Sequence, residues 1–102
     1  MELTRDIILE RLEELRPILA EEYGVNVFGL VGSYARGDAA DKSDIDVTYA
    51  RSKEAIVTLL DISAATRHIS DVLDISVDLI DWDAVKPHYK TSMTRNLVRF
   101  YG

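Results

Sequence analysis

The sequence predicts a mixed α/β fold, a small mixed β-sheet flanked by helices. Three observations point to it. The first segment carries apolar residues at helical spacing; three later runs are short and either continuously apolar or strictly alternating; and a second helical stripe separates the last two of these runs. The predicted order is α-β-β-α-β-α.

Leu3, Ile7, Ile8, Leu12, Leu15 and Leu19 mark the first helix, with acids and bases between them. Thr4 suits its N-cap, Tyr23-Gly24 its end, and Pro17 is expected to kink or divide it. "VNVFGLV", from Val25 to Val31, reads as a buried strand. "GSYARGDAADKSD" reads as a long loop, or a turn with a short helix. "IDVTYA" (Ile45 to Ala50) is a second strand, with Ile45, Val47 and Tyr49 on one face and Asp46 and Thr48 on the other. A helix is expected from about Lys53 to Leu73 on the stripe Ile56, Leu59, Leu60, Ile62, Ile69, Val72 and Leu73, loosened around Ser63 to Thr66. "ISVDLID" (Ile75 to Asp81) alternates and is a third strand. The tail holds the breaker Pro87, a short helix from about Tyr89 to Leu97 and a possible last strand, "VRFY".

A chain of 102 residues suits one domain, expected to span residues 1–102. With no cysteine, disulfides and thiolate metal sites are excluded. The charged, amphipathic N-terminus offers no stretch for secretion or membrane spanning, so a cytoplasmic location without membrane contact is expected. A net charge of −6 argues against direct nucleic-acid binding, which draws most of its affinity from a basic face. An anionic ligand would need local positive charge or a metal ion.

Residues two apart in a strand point the same way, so Asp44 and Asp46 project together from the start of the second strand. Asp78 lies mid-strand in the third, with Ser76 and Ile80 on its face. Three acids aimed at one spot repel, and bound cations relieve them. Oxygen ligands without histidine or cysteine suit Mg²⁺ or Mn²⁺. Two such ions can hold a triphosphate and activate an attacking hydroxyl. A lone Asp-x-Asp is common in this aspartate-rich chain, and Asp81/Asp83 repeats the spacing. What singles out Asp44/Asp46 is Gly32-Ser33 ten residues before it, after a strand. Small residues there let backbone amides approach a phosphate, and Arg36 is spaced to pair with its oxygens. The P-loop pattern and its lysine are missing. A calcium loop built on Asp38, Asp41, Asp44 and Asp46 lacks the required glycine and glutamate.

"GSYARGDAADKSDIDV" resembles the Gly-Ser-x10-Asp-x-Asp signature of the DNA polymerase beta-like nucleotidyltransferases. "VFGLVGSYARGDAADKSDIDV" with the later "VDLID" is similar, more narrowly, to the minimal nucleotidyltransferase (MNT) family. The resemblance implies a nucleotidyltransferase fold and transfer of a nucleoside monophosphate from ATP or another NTP. It implies two Mg²⁺ ions (Mn²⁺ being the other candidate) on Asp44, Asp46 and Asp78, with Asp78 also helping to deprotonate the acceptor. Gly32, Ser33 and Arg36 would hold the phosphates. "VDLID" offers both Asp78 and Asp81 as third acid; strand alternation selects Asp78. The family further implies an antitoxin that adenylylates a tyrosine of a HEPN-domain RNase toxin. The alternative is an antitoxin that neutralises its partner by contact alone, in which these acids would be free to vary.

Other residues read more plainly. His68 and His88 are expected at the surface, Trp82 as a cap on the core, and Lys90, Arg95 and Arg99 on a solvated face. Tyr34 has no assigned role. "RGD" (Arg36 to Asp38) is an adhesion tripeptide only in secreted proteins.

Overall fold

The computed structural model describes residues 3–39, 43–54 and 56–101. Helix α1 (Arg5–Tyr23) starts where the Thr4 hydroxyl accepts the Ile7 amide at 3.3 Å and stops at Gly24, which turns left-handed with φ of 69°. Pro17 does not divide it. The proline lies on the exposed side, as does Glu13, whose carbonyl it deprives of a donor and which water can serve instead. Ile8, Leu12, Leu15 and Leu19 form the buried stripe.

Four strands make one sheet in the order β3-β2-β1-β4. β1 (Val25–Val31) runs antiparallel to β2 (Ile45–Arg51) and to the two-residue β4 (Val98–Arg99). β3 (Val77–Asp81) runs parallel to β2 at the sheet edge. The expected mixed sheet is therefore present, and the alternation of β2 is as expected: Ile45, Val47 and Tyr49 are buried in the main core. That core is shared with Val25, Val27 and Leu30 of β1 and with Ala65, Ile69 and Leu73 of α3 (Leu59–Leu73).

Helix α3 begins later than the expected Lys53. A capping box decides its start: the Thr58 hydroxyl accepts the Asp61 amide at 3.2 Å, and the Asp61 carboxylate accepts the Thr58 amide at 2.9 Å. Ile56, Leu59 and Leu60, read as part of the apolar stripe, are 93%, 81% and 81% exposed. From Leu59 the helix runs unbroken through Ser63 to Thr66. Helix α4 (Pro87–Thr94) begins before the expected Tyr89 and ends before the expected Leu97; Pro87, read as a breaker ahead of it, opens it instead, because a first-turn residue needs no amide donor.

β1 carries one irregularity the alternation does not predict. Val27 pairs with Tyr49 and Gly29 with Thr48, so Phe28 is an extra residue, a β-bulge. The bulge shifts the phase of the strand. Val27 and Leu30 both reach the main core, while Gly29 and Val31 turn to the face that carries Thr48 and Asp46. A side chain at position 29 would run into Leu97 and the Thr48 hydroxyl. The segment after α4 thus closes over the middle of that second face. No helix among the described residues is long and apolar enough to cross a membrane.

Candidate active site

The site face is built by the parallel pairing of β2 and β3. Asp46 and Asp78 are register partners, side by side on one face, and Asp44 stands just before β2. Asp46 is half-buried and Asp44 and Asp78 are exposed. The Asp46 carboxyl is pushed above the usual carboxylate range, first by burial and then by the charges of Asp78 and Asp44; the Arg36 guanidinium partly counters them.

Asp81 is in a different situation three residues along β3. It forms an ion pair with Arg51 at 2.9 Å, and its Oδ1 accepts the Asp83 amide at 3.1 Å. It stands beside Tyr49 at the far end of the strand, and its charge adds to the burial that raises the Tyr49 phenol. Alternation turns Asp81 away from Asp46 and ties it to structure.

Gly32 opens the five-residue helix α2 (Gly32–Arg36) directly after β1, with φ of 79°. A Cβ there would collide with Asp46 Oδ2, so the small residue is required both by its backbone and by the closeness of the carboxylate. The Ser33 carbonyl accepts the amides of Gly37 and Asp38 at 2.9 and 3.0 Å, closing the turn. Arg36 is exposed and pairs through Nε with Asp38 at 3.1 Å. Arg5, which no motif marks, donates from Nη1 to the Ala35 carbonyl at 3.1 Å and so ties α2 to the start of α1.

Gly32, Arg36 and Asp46 line a cleft of about 310 Å³; Ser33, Asp44 and Asp78 are not among its lining residues. Val31 and Ile80 line it as well, and Ser92, Met93 and Asn96 of α4 and its exit turn add a second wall. The sequence reading missed the second wall, since nothing in "TSMTRN" distinguishes it from any short helix.

The donor set is oxygen only, and a carboxyl that resists ionisation among like charges fits a hard divalent cation, which would relieve it. Among the described residues no three acidic or histidine side chains are drawn together tightly enough to hold an ion by themselves. Asp41, one of the four aspartates of the calcium-loop reading, lies outside the described residues.

The remaining titratable residues lie off this cleft. His68 is half-buried on α3, its Nδ1 3.2 Å from the Tyr23 hydroxyl. His88 is exposed and packs on Tyr89. Trp82 stands edge-on to Phe28, with Lys90 over its ring, and Arg99 lies over Phe28. Arg95 and Arg99 are exposed, as expected, Arg99 with its guanidinium over Phe28, while Lys90 is half-buried beside Trp82. Tyr34 packs partly buried against the core.

Known proteins resemble this chain in sequence and in fold. A candidate protein adenylyltransferase of Methanocaldococcus jannaschii is 34% identical over 92 residues, 89% of this chain and 92% of the relative. The protein adenylyltransferase MntA of Thermococcus cleftensis is 31% identical over 94 residues, 85% of this chain and 93% of the relative. The solved structure of a candidate minimal nucleotidyltransferase superposes with a TM-score of 0.76 at 25% identity, covering 95% of this chain and 96% of that one. The fold also matches a chain from the complex of the tri-AMPylated Shewanella oneidensis HEPN toxin with MNT antitoxin. There the TM-score is 0.69 and the identity 15%, over 97% of this chain and 73% of the other. Residues 13–101 match the family model described as polymerase beta, nucleotidyltransferase, and the chain belongs to that nucleotidyltransferase family, among its minimal members.

Proposed function

We propose that the protein transfers AMP from ATP to a protein hydroxyl, a tyrosine of a HEPN-type RNase, and thereby acts as its antitoxin. The observation that carries the reading is the in-register pair Asp46 and Asp78, with Asp44 just before β2 and Gly32 held against Asp46. Relatives named protein adenylyltransferase, 31% and 34% identical over most of the chain, support the reaction type. The fold shared with an MNT antitoxin bound to an AMPylated HEPN toxin motivates the partner.

Asp44, Asp46 and Asp78 would hold two divalent ions, Mg²⁺ or Mn²⁺. When bound, such ions neutralise the triphosphate and lower the pKa of an acceptor hydroxyl. The chain's own residues do the rest. Gly32 leaves room for phosphate oxygens to approach the backbone, and Ser33 offers a hydroxyl donor. Arg36 exchanges its exposed Asp38 pair, a weak contact in water, for a charge-assisted bond to phosphate. Asp78, exposed at the sheet edge, accepts the proton of the incoming hydroxyl. The hydroxyl oxygen bonds to the α-phosphorus as the bond to the β-phosphate oxygen breaks, and pyrophosphate leaves.

The test mixes the protein, Mg²⁺ and each of the four NTPs in turn with a HEPN-type partner and reads intact masses. The expected result is a gain of one or more AMP units on the partner, absent with Asp44→Asn. A stable complex that silences the RNase without any mass gain would overturn transfer and leave neutralisation by contact.

A further inference from the structure

We infer that the acceptor polypeptide docks on the open edge of β3, adding an extended segment as a fifth strand that sets its hydroxyl-bearing residue beside Asp78. The inference rests on the proposed transfer and goes beyond it by assigning the surface that the acceptor meets.

β3 ends the sheet, with β2 as its single neighbour among the described residues. The Ser76 carbonyl accepts the Ile45 amide at 3.0 Å, so the backbone groups of Ser76 point to β2. Alternation turns those of Asp78 and Ile80 the same way, and the amides and carbonyls of Val77, Leu79 and Asp81 face the open side. Among the described residues no backbone bond from another segment reaches them. Parallel strands are ordinarily covered, and exposed edges are ordinarily blunted by a proline, a lysine or a bulge. "VDLID" has none of these, and its register with β2 is unbroken.

An open groove of about 440 Å³ lies between this strand and α3, with Ile62, Thr66, Ser70 and Val77 among its walls. Leu59, 81% exposed, stands three residues before Ile62 and seven before Thr66, on the same side of the helix. Leu60 is equally exposed but shares its side with Ala64 and His68, away from the groove. A strand laid along β3 would turn one row of side chains over the groove toward Leu59 and the other row toward the site face. Because the backbone groups of Asp78 are turned to β2, an antiparallel newcomer meets Asp78 in a non-hydrogen-bonded pair, the type that brings side chains closest. The residue opposite it therefore points to the same face as the carboxylate.

Charge selects the occupant. A second copy would bring Asp74 and Asp78 against the same exposed acids, in a chain of net charge −6. An acceptor segment carrying lysine or arginine meets them with opposite charge.

Amide hydrogen exchange of the whole chain, followed without nucleotide, alone and with a HEPN-type partner, tests this. In the free protein the Val77 and Leu79 amides should exchange at least about tenfold faster than those of Asp78 and Ile80, and the partner should slow them by at least about tenfold. Leu59→Glu should weaken partner binding by about tenfold, and Leu60→Glu by less than about twofold. Both side chains are exposed, so the variants should fold, and unchanged protection of Asp78 and Ile80 verifies that. Transfer to a partner that leaves the Val77 and Leu79 amides fast, or equal effects of the two variants, overturns edge docking and leaves the transfer reading intact. Protection that grows with this chain's own concentration, without the partner, gives the edge to a second copy and overturns it too. If the partner neither binds nor gains mass with ATP, the transfer reading fails and edge docking with it.

Discussion

The two faces of β2 differ more than any other neighbouring parts of the molecule. On one, Ile45, Val47 and Tyr49 lie in a close-packed apolar core beneath α1 and α3. On the other, one residue away each time, stand Asp46, crowded by like charges, and Thr48, fully buried with a hydroxyl that has no partner among the described residues. The first face supplies stability through burial; the second holds electrostatic and hydrogen-bonding cost. The sheet thus separates folding from chemistry at the scale of a single peptide, and a change on one face should leave the other's property largely alone.

The largest expected break in this contrast is Asp46→Asn, which should lower transfer by at least about a hundredfold. It should also preserve or raise Tm at neutral pH. Because the native pKa of Asp46 is raised, the folded state holds its proton more tightly than the unfolded one. The stability that goes with this is present below the ordinary carboxylate pKa and lost as pH climbs through the raised value. Thermal melts in metal-free buffer should therefore show wild type and variant converging at acid pH and the variant ahead at neutral pH. A variant that melts well below wild type at pH 7 would sink the claim that this face costs stability.

Leu12→Ala makes the opposite cut. Leu12 is wholly buried, and the change should cost about 2–5 kcal/mol in denaturant unfolding. Transfer per folded molecule should stay within about twofold of wild type, because the site lies across the sheet; a large loss would mean that the faces are coupled.

The finest test lies along β3. Asp78→Asn should abolish transfer with little change in Tm. Asp81→Asn should keep transfer and lose only a little stability, with the Arg51 pair and the Asp83 amide contact. Reversal of the two outcomes would move the third carboxylate to Asp81 and remove the face argument altogether.

Much of this arrangement was readable from residue order, because strand alternation is a strong constraint. Asp46 and Asp78 each follow an apolar residue in an alternating run, so their shared face could be inferred before their pairing was known. The α3 start was not readable from periodicity: Ile56, Leu59 and Leu60 have the composition of a core stripe and lie in solvent. The better signal was Thr58-x-x-Asp61, a local hydrogen-bonding pattern that outweighs the apolar count. The α4 wall was invisible because Ser92, Met93 and Asn96 meet Gly32 and Asp46 only through tertiary packing. Arg5 is similar, since its bond to Ala35 spans 30 residues.

The bulge at Phe28 makes β1 a count rather than a composition. Upstream of it odd-numbered residues belong to the core; downstream the parity inverts, and Gly32 follows at the one phase that brings it against Asp46. Isoleucine for valine at position 25 or 27 changes a volume, but one residue added or removed between Val27 and Gly29 changes a sign. The misfit would then have to be absorbed either beneath α1, where apolar side chains would swing outward, or at the turn, where Gly32 would leave the carboxylate. Length in this strand is thus the tighter specification, and it is set some distance before the first residue that could touch a nucleotide.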